Sequence, residues 1–140
     1  MIFGGELGSD GTHRFPVRVY FEDTDFSGNV YHAAYLKFFE RARTEYLRAH
    51  GIHHAEMAKD GLAFAVREMT ISYDRAAHID DLLEVETRMV EATGARFVLE
   101  QAMARGGETI TRAKVIAVLM NGKGRPVRLP KELLALLSRS

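Results

Sequence analysis

Glu22, Asp23 and Asp25 place three carboxylates within four residues, in the run FEDTDFSGNVYH that spans Phe21 to His32. Gly28 follows, and then a Tyr31-His32 pair that opens a strongly periodic segment. Four chemistries compete for such a run. As Asp23-Thr24-Asp25-Phe26-Ser27, it mimics the aspartyl nucleophile of a phosphatase at a strand end. That use needs magnesium and a doubly wound parallel sheet, and the chain has neither the alternating βα units nor the length. As a calcium loop it fails on spacing: counted from Asp23, the twelfth position is Ala34, where a glutamate is required. As a solvated loop it would cap the following helix, since carboxylates and Asx residues stabilise a helix N-terminus. As an acyl-transfer site it would use the free N–H groups of that N-terminus to polarise a thioester carbonyl and hold the oxyanion. An aspartate just upstream would then attack the carbonyl carbon or activate a water. Gly28 would let the backbone pass close to a substrate.

Two other groups of residues invite attention. His50, His53 and His54 lie near Glu56, but not at the spacing of a zinc helix. They read as a helix end and loop. His78 precedes the turn at Asp80-Asp81 and reads as a loop histidine or a ligand contact.

The elements that must position these residues follow from periodicity. Tyr31, Tyr35, Phe38, Phe39, Ala42, Tyr46 and Ala49 recur at helical spacing. They predict a helix of about 21 residues, ~30 Å long, with Gly51 as its stop. Its aromatic stripe is core. Glu40 with Arg43, and Glu45 with Arg48, have ion-pair spacing. Before the helix, Phe15 to Phe21 alternates as a strand, and Pro16 marks an edge or a strand start. After Gly61 the period changes to two. Leu62, Phe64 and Val66 alternate, the phase slips, and Met69, Ile71 and Tyr73 continue, which predicts a β-bulge near Arg67-Glu68. Strands follow at Leu83–Met89, Phe97–Met103 and Thr109–Met120, with a turn at 92–94 and a hairpin at Gly106-Gly107. The last strand is apolar on both faces around Val115–Leu119, so it belongs in the middle of the sheet. A short final helix is expected from Pro130 to Leu137. One long helix and an antiparallel sheet make a two-layer α+β domain. Its long exposed edges call for homo-oligomerisation.

Bulk properties exclude several classes. The 140 residues suit one domain, with residues 1–14 as a partly ordered leader and 15–140 as the domain. The chain has 19 basic and 19 acidic residues and no cysteine. That excludes disulfides and thiolate metal sites, and it speaks against general nucleic-acid binding. No apolar run is long enough for a membrane span, and no secretory signal opens the chain. A cytoplasmic protein is expected.

The run Val17 to Gly51 resembles acyl-CoA thioesterases of the 4-hydroxybenzoyl-CoA thioesterase type, and most closely their Tol-Pal-associated bacterial subgroup. Asp23-Thr24-Asp25, Gly28, Val30-Tyr31-His32, Tyr35 and Phe39-Glu40-Arg41-Ala42-Arg43 carry the likeness. Tyr73, Ala77, Asp80-Asp81-Leu82, Arg125-Pro126-Val127 and Pro130 extend it. Phe26-Ser27 and Asn29 depart from the common pattern, so the acyl preference does not carry over. The resemblance implies a hotdog fold: a curved, antiparallel five-stranded sheet wrapped around one long central helix, with a short C-terminal helix. It implies dimers or tetramers with the site at the dimer interface. Asp25 would be the catalytic carboxylate. The His32 amide would polarise the carbonyl, and the His32 side chain would orient substrate or water. Gly28, Tyr31, Tyr35, Tyr73 and His78 would bind substrate, without metal or cofactor, CoA being part of the substrate. Arg67, Arg75 and Arg96 are candidates for the CoA phosphates. Acyl carrier protein is a possible alternative donor. A dehydratase or hydratase built on His32 and Asp25, or a non-catalytic acyl-CoA-binding module, would use the same fold.

Overall fold

The aromatic stripe forms α1, His32–Ala49, in a computed structural model that describes residues 3–137. Its buried residues are Ala34, Tyr35, Phe38, Phe39, Ala42, Tyr46 and Leu47. Spacings of three and four place them on one face. At 18 residues, α1 is shorter than the span from Tyr31 to Gly51, because the residues that bracket it are its caps. Tyr31 is the N-cap in extended conformation, and Gly51 has a φ of +80°. The Gly51 N–H donates to Arg48 O and the Ile52 N–H to Leu47 O. These are the two bonds of a Schellman motif, and the buried pair Leu47 and Ile52 supplies its apolar contact.

A seven-stranded antiparallel sheet, in the order β1-β2-β4-β5-β6-β3 with β7 also on β6, accompanies this helix. The strands are Glu6–Leu7 (β1), His13–Arg18 (β2), Ala63–Tyr73 (β3), Leu82–Ala92 (β4), Phe97–Arg105 (β5), Glu108–Met120 (β6) and Pro126–Val127 (β7). The five expected strands are the five long ones, and two-residue strands are added at either end of the chain. β2 begins at His13 rather than Phe15 and ends at Arg18 rather than Phe21. Within the segment expected as a leader, Glu6 pairs with Arg14 and Leu7 with His13, and Thr12 and His13 are buried. These pairings carry no apolar alternation for a sequence reading to find. Pro16 lies beyond the reach of β1 and opposite Glu84 of β4, so its missing N–H is not needed by a second neighbour.

The register of β3 on β6 shifts between Val66 and Glu68, at the predicted bulge. Two further shifts, at Met89/Glu91 and Met103/Ala104, leave no mark in the sequence. β6 is central, paired with β5, β3 and β7. Gly106 and Gly107 both have positive φ, as a two-residue hairpin loop demands. Two further helices complete the fold: α2, His54–Lys59, and α3, Lys131–Leu137. α2 was not expected; six residues are too few to display helical periodicity. It ends in a second Schellman pair, Gly61 N–H to Ala58 O and Leu62 N–H to Met57 O.

The core has two clusters. One joins the first half of α1 to Val17, Val19, Val30, Ala77, Leu83, Val85, Met103 and Ile110. The other joins Tyr46, Leu47 and Ile52 to Phe97, Leu99, Ala117, Leu119 and Leu129. Cross-strand ion pairs such as Arg88–Glu100 (3.0 Å) lie in solvent, away from that core. Among the described residues β3 pairs only with β6, which leaves its other edge open, and none of its residues is buried.

Candidate active site

Residues 19–31 connect β2 to α1 and are folded by hydrogen bonds of their own and by bonds to a second segment. Phe21–Asp23 is a 3-10 turn, and the Asp23 carboxylate accepts from the Tyr20 N–H at 2.8 Å, closing its start. The Thr24 hydroxyl donates to Phe21 O. The chain then doubles back. The Asp25 N–H donates to Asn29 O (2.9 Å) and the Gly28 N–H to Asp25 O (3.0 Å), while Thr24 bridges Val30. Gly28 takes a φ of +86°, with no heavy atom within 4 Å of where a Cβ would stand. Within the protein its role is conformational: no neighbouring protein atom requires the missing side chain. The Tyr31 N–H returns to Asp23 O (3.2 Å), which fixes the loop to the start of α1.

This loop separates the three acids. Asp23 is engaged in the turn. Glu22 is exposed and forms no ion pair among the described residues. Asp25 is exposed, and its Oδ1 accepts from both the hydroxyl and the backbone N–H of Ser27. Those Ser27 bonds hold its carboxyl below the ordinary aspartate range. The Asn29 amide adds to the effect, so Asp25 is a stable carboxylate on an exposed loop. No residue of the sequence reading pointed to Ser27 as its partner, although the departure at Phe26-Ser27 flagged the position.

His32 is the first residue of α1, and its side chain is exposed. The Ala34 N–H folds back to Tyr31 O, whereas the His32 N–H has no carbonyl acceptor among the described residues. A free N–H here is the ordinary state of a helix start and gives it an affinity for negative charge. The His32 ring meets the Tyr73 ring edge-on at 4.9 Å, and Tyr73 meets Tyr35 at 5.2 Å. Tyr31, Tyr73 and His32 thus border the helix start as partly exposed rings. Burial, with Tyr35 adding to it, raises the Tyr73 phenol above its usual value and keeps it neutral. Tyr35 differs: it is buried, and its hydroxyl accepts from the Ala77 N–H at 2.9 Å.

A second segment, residues 74–81, supports the first. Val30 N–H donates to Ala77 O, Ile79 N–H to Gly28 O, and Asn29 bridges His78. The Val19 N–H donates to Asp81 O and the Asp80 N–H to Val19 O. Asp81 anchors this segment. Its Oδ2 accepts from Arg105 Nη1 (2.8 Å) and from the His78 N–H (2.9 Å), and the same Nη1 reaches Ala76 O. Burial of Asp81 opposes ionisation, but Arg105 and the His78 amide outweigh it and lower its pKa. The His78 ring is exposed, 3.4 Å from Arg105 and 3.7 Å from Asp81. Arg105 was missed by the sequence reading; it lies 24 residues from Asp81, and no local pattern links them.

The remaining candidates are dispersed. The His50 ring lies tilted against Tyr46, His53 meets Arg48, and His54 meets Phe64. Arg75 pairs with Glu108 and Arg96 with Glu91, while Arg67 is exposed and has no ion pair among the described residues. Among those residues no helix is long and apolar enough to cross a membrane.

Residues 19–137 match the thioesterase-like superfamily. The chain is 48% identical over 128 residues to the acyl-CoA thioesterase YbgC of Haemophilus influenzae, covering 90% of this chain and 94% of that protein. It is 42% identical over 124 residues to the acyl-CoA thioester hydrolase YbgC of Escherichia coli, covering 87% and 92%. Its fold superposes on a probable thioesterase from Bartonella henselae with a TM-score of 0.82 at 47% identity, covering 85% of this chain and 99% of the other.

Proposed function

The chain belongs to the thioesterase-like superfamily, and from that premise we propose that it hydrolyses acyl-CoA thioesters to a free carboxylic acid and CoA. The observation that supports the mechanism is one short loop that carries an exposed Asp25, held below the ordinary aspartate range, and ends at an α1 N–H with no acceptor among the described residues. The His32 amide and the helix dipole stabilise the charge that develops on the carbonyl oxygen. Asp25 acts through Oδ2, either attacking the carbonyl carbon or taking a proton from the water that does. The C–S bond breaks and the thiolate leaves and takes a proton; water adds to the acyl carbon when Asp25 is the base, or cleaves the Asp25–acyl anhydride that direct attack forms, releasing the carboxylic acid. Tyr31, Tyr73 and His78 border the substrate, Gly28 shapes the loop, and Tyr35 holds the backbone of Ala77 from beneath. No metal or cofactor takes part.

Further parts of the proposal rest on less. The open edge of β3 supports a homo-oligomer, dimer or tetramer. Arg67, exposed and without an ion pair, suits a CoA phosphate better than the paired Arg75 and Arg96. A cytoplasmic location, a Tol-Pal association and acyl carrier protein as an alternative donor follow from the family likeness alone. Thiol release across a panel of acyl-CoA esters tests the activity. A single turnover in ¹⁸O-water separates the two roles of Asp25. Direct attack followed by water cleavage at the Asp25 carbonyl leaves the first product unlabelled and puts the label in Asp25, whereas general-base catalysis labels the product and leaves Asp25 unlabelled. Alkene formation from a 3-hydroxyacyl-CoA without thiol release would replace hydrolysis with dehydration.

A further inference from the structure

The hydrogen bonds that fold the catalytic loop also set three side chains in a row. Asp25 and Asn29 close a hairpin loop of Phe26, Ser27 and Gly28: the Gly28 N–H donates to Asp25 O and the Asp25 N–H to Asn29 O, with Gly28 at positive φ. Asn29 in turn stands opposite His78 as an antiparallel pair. The bonds that flank this pair, Val30 N–H to Ala77 O and Ile79 N–H to Gly28 O, make it the kind that shares no hydrogen bond of its own. Its Cα atoms are then about 4.5 Å apart, the closest approach a ladder gives to two side chains. Residues opposite one another share a face, and successive residues alternate between faces. Val30 and Ala77 are buried in the core, so Asn29 and His78 face away from it, as the exposed Asp25 does. The row reads Asp25, Asn29, His78: a carboxylate, a carboxamide and an imidazole.

The second and third members keep groups free for a ligand. The backbone N–H of Asn29 reaches Ser27 Oγ at 3.4 Å, but its carboxamide makes no hydrogen bond among the described residues. The His78 ring turns Nδ1 toward Arg105 Nη1 at 3.4 Å. A guanidinium can only donate, so Nδ1 accepts and the neutral ring carries its proton on Nε2. Arg105 is itself held by Asp81 Oδ2 and Ala76 O. The fold therefore fixes an acceptor at Asn29 Oδ1 and a donor at His78 Nε2, at successive steps from the carboxylate.

Groups fixed in this way suit a part of the substrate that does not vary. The acyl portion of a thioester varies, but the thiol portion of CoA does not. Two methylenes beyond its sulfur lies a secondary amide. Counted outward from an acyl carbon at Asp25, the amide N–H comes first and the amide C=O second. The row presents their complements in the same order. We propose that Asn29 and His78 hold this first amide of the pantetheine arm, Asn29 Oδ1 accepting from its N–H and His78 Nε2 donating to its C=O. The two residues then set specificity on the leaving-group side of the thioester. This rests on the hydrolytic activity proposed above, and the experiment separates the two.

One acyl group is placed on three thiols. N-acetylcysteamine carries the amide, 2-acetoxyethanethiol puts an oxygen in place of its N–H and keeps the C=O, and pentanethiol has neither. In the parent, kcat/KM for thiol release should fall about threefold or more at each replacement, the scale of a single hydrogen bond. Asn29→Leu should erase the first step and keep the second. His78→Phe should erase the second and keep the first. His78→Gln, whose amide nitrogen can stand where Nε2 does, should keep both. Each step is compared between variant and parent, so differences in thiol reactivity cancel. Steps of the same size in the parent, Asn29→Leu and His78→Phe overturn the inference and leave the activity standing. So does a variant that slows all three esters alike, since its side chain would then support Asp25 or the loop and not the amide. If Asn29→Leu does not fold, the two His78 variants decide. If the parent hydrolyses none of the three, turnover of the acyl-CoA ester decides the activity. Calorimetric titration of an unhydrolysable S-alkyl-CoA thioether then decides the row: binding about tenfold weaker in Asn29→Leu supports it, and equal binding overturns it.

Discussion

Two aspartates occupy the two segments that the Gly28–Ile79 and Val30–Ala77 backbone bonds tie together, and both are more acidic than usual for opposite reasons. Asp25 is stabilised by a serine hydroxyl and amide, which are neutral. Asp81 is stabilised by Arg105, which cancels its charge. Neutral donors lower a pKa and leave the negative charge available to a substrate. A cation lowers it and consumes the charge. One carboxylate thus keeps its charge open to solvent, as the proposed chemistry requires, and the other holds the segment on which that loop docks.

The sharpest way to break this comparison is to remove one carboxylate at a time. Asp25→Asn should lower kcat roughly a thousandfold. Its Tm should stay that of the parent, since its side chain bonds only within the exposed loop. A variant with near-normal turnover would dissolve the distinction. Asp81→Asn should do the reverse. It leaves Arg105 without its carboxylate, so urea denaturation should show a loss of about 2 kcal/mol, with kcat/KM reduced less than tenfold. That loss has a pH signature. The folded pKa of Asp81 lies below its unfolded value of about 3.9, so its stabilisation is present above that value. It disappears as pH falls through the folded pKa, and the gap between parent and Asp81→Asn should close in acid. A gap that widened there would overturn the assignment.

Gly28→Ala should cost about 1 kcal/mol, because φ is +86° while the space beside it is empty. Equilibrium unfolding checks it, and an unchanged midpoint would mean that the loop relaxes. Smallest of all, Ser27→Ala removes the main cause of the low Asp25 pKa. If activity needs the carboxylate, as proposed, the acid limb of the pH–rate profile should move to higher pH while the plateau rate is kept. An unmoved limb would mean that Ser27 does not tune Asp25.

What the sequence made legible follows from how local each feature is. The Tyr35–Phe39–Tyr46 stripe, the phase slip before Met69 and the Gly106-Gly107 turn encode their structures within a few residues, and each appears where the pattern puts it. The separation of Asp25 from Glu22 and Asp23 was legible from spacing relative to Gly28 and His32. The Asp81–Arg105 anchor and the Thr87–Gln101–Arg43 network were not. They join residues 14 to 58 positions apart and exist only after the strands have chosen their registers. The β1–β2 hairpin was hidden for another reason: polar and glycine-rich residues pair there without an apolar pattern.

The strand order has a consequence for the sequence of events in folding. β4, β5 and β6 are consecutive and paired in chain order, so their ladders close short loops. β3 must reach β6 past both of the others, and β2 must reach β4 past α1, α2 and β3. Long closures are slow, so the three-stranded meander is the natural early structure and the outer strands arrive on it. Residues 19–31 follow the late-arriving β2 and dock on the 74–81 segment. Hydrogen exchange should therefore find the amides of Leu99 and Val115 released only by global unfolding, and those of Val30 and Ile79 by smaller openings. The catalytic loop can then come undone and re-form many times within the lifetime of a single folded molecule.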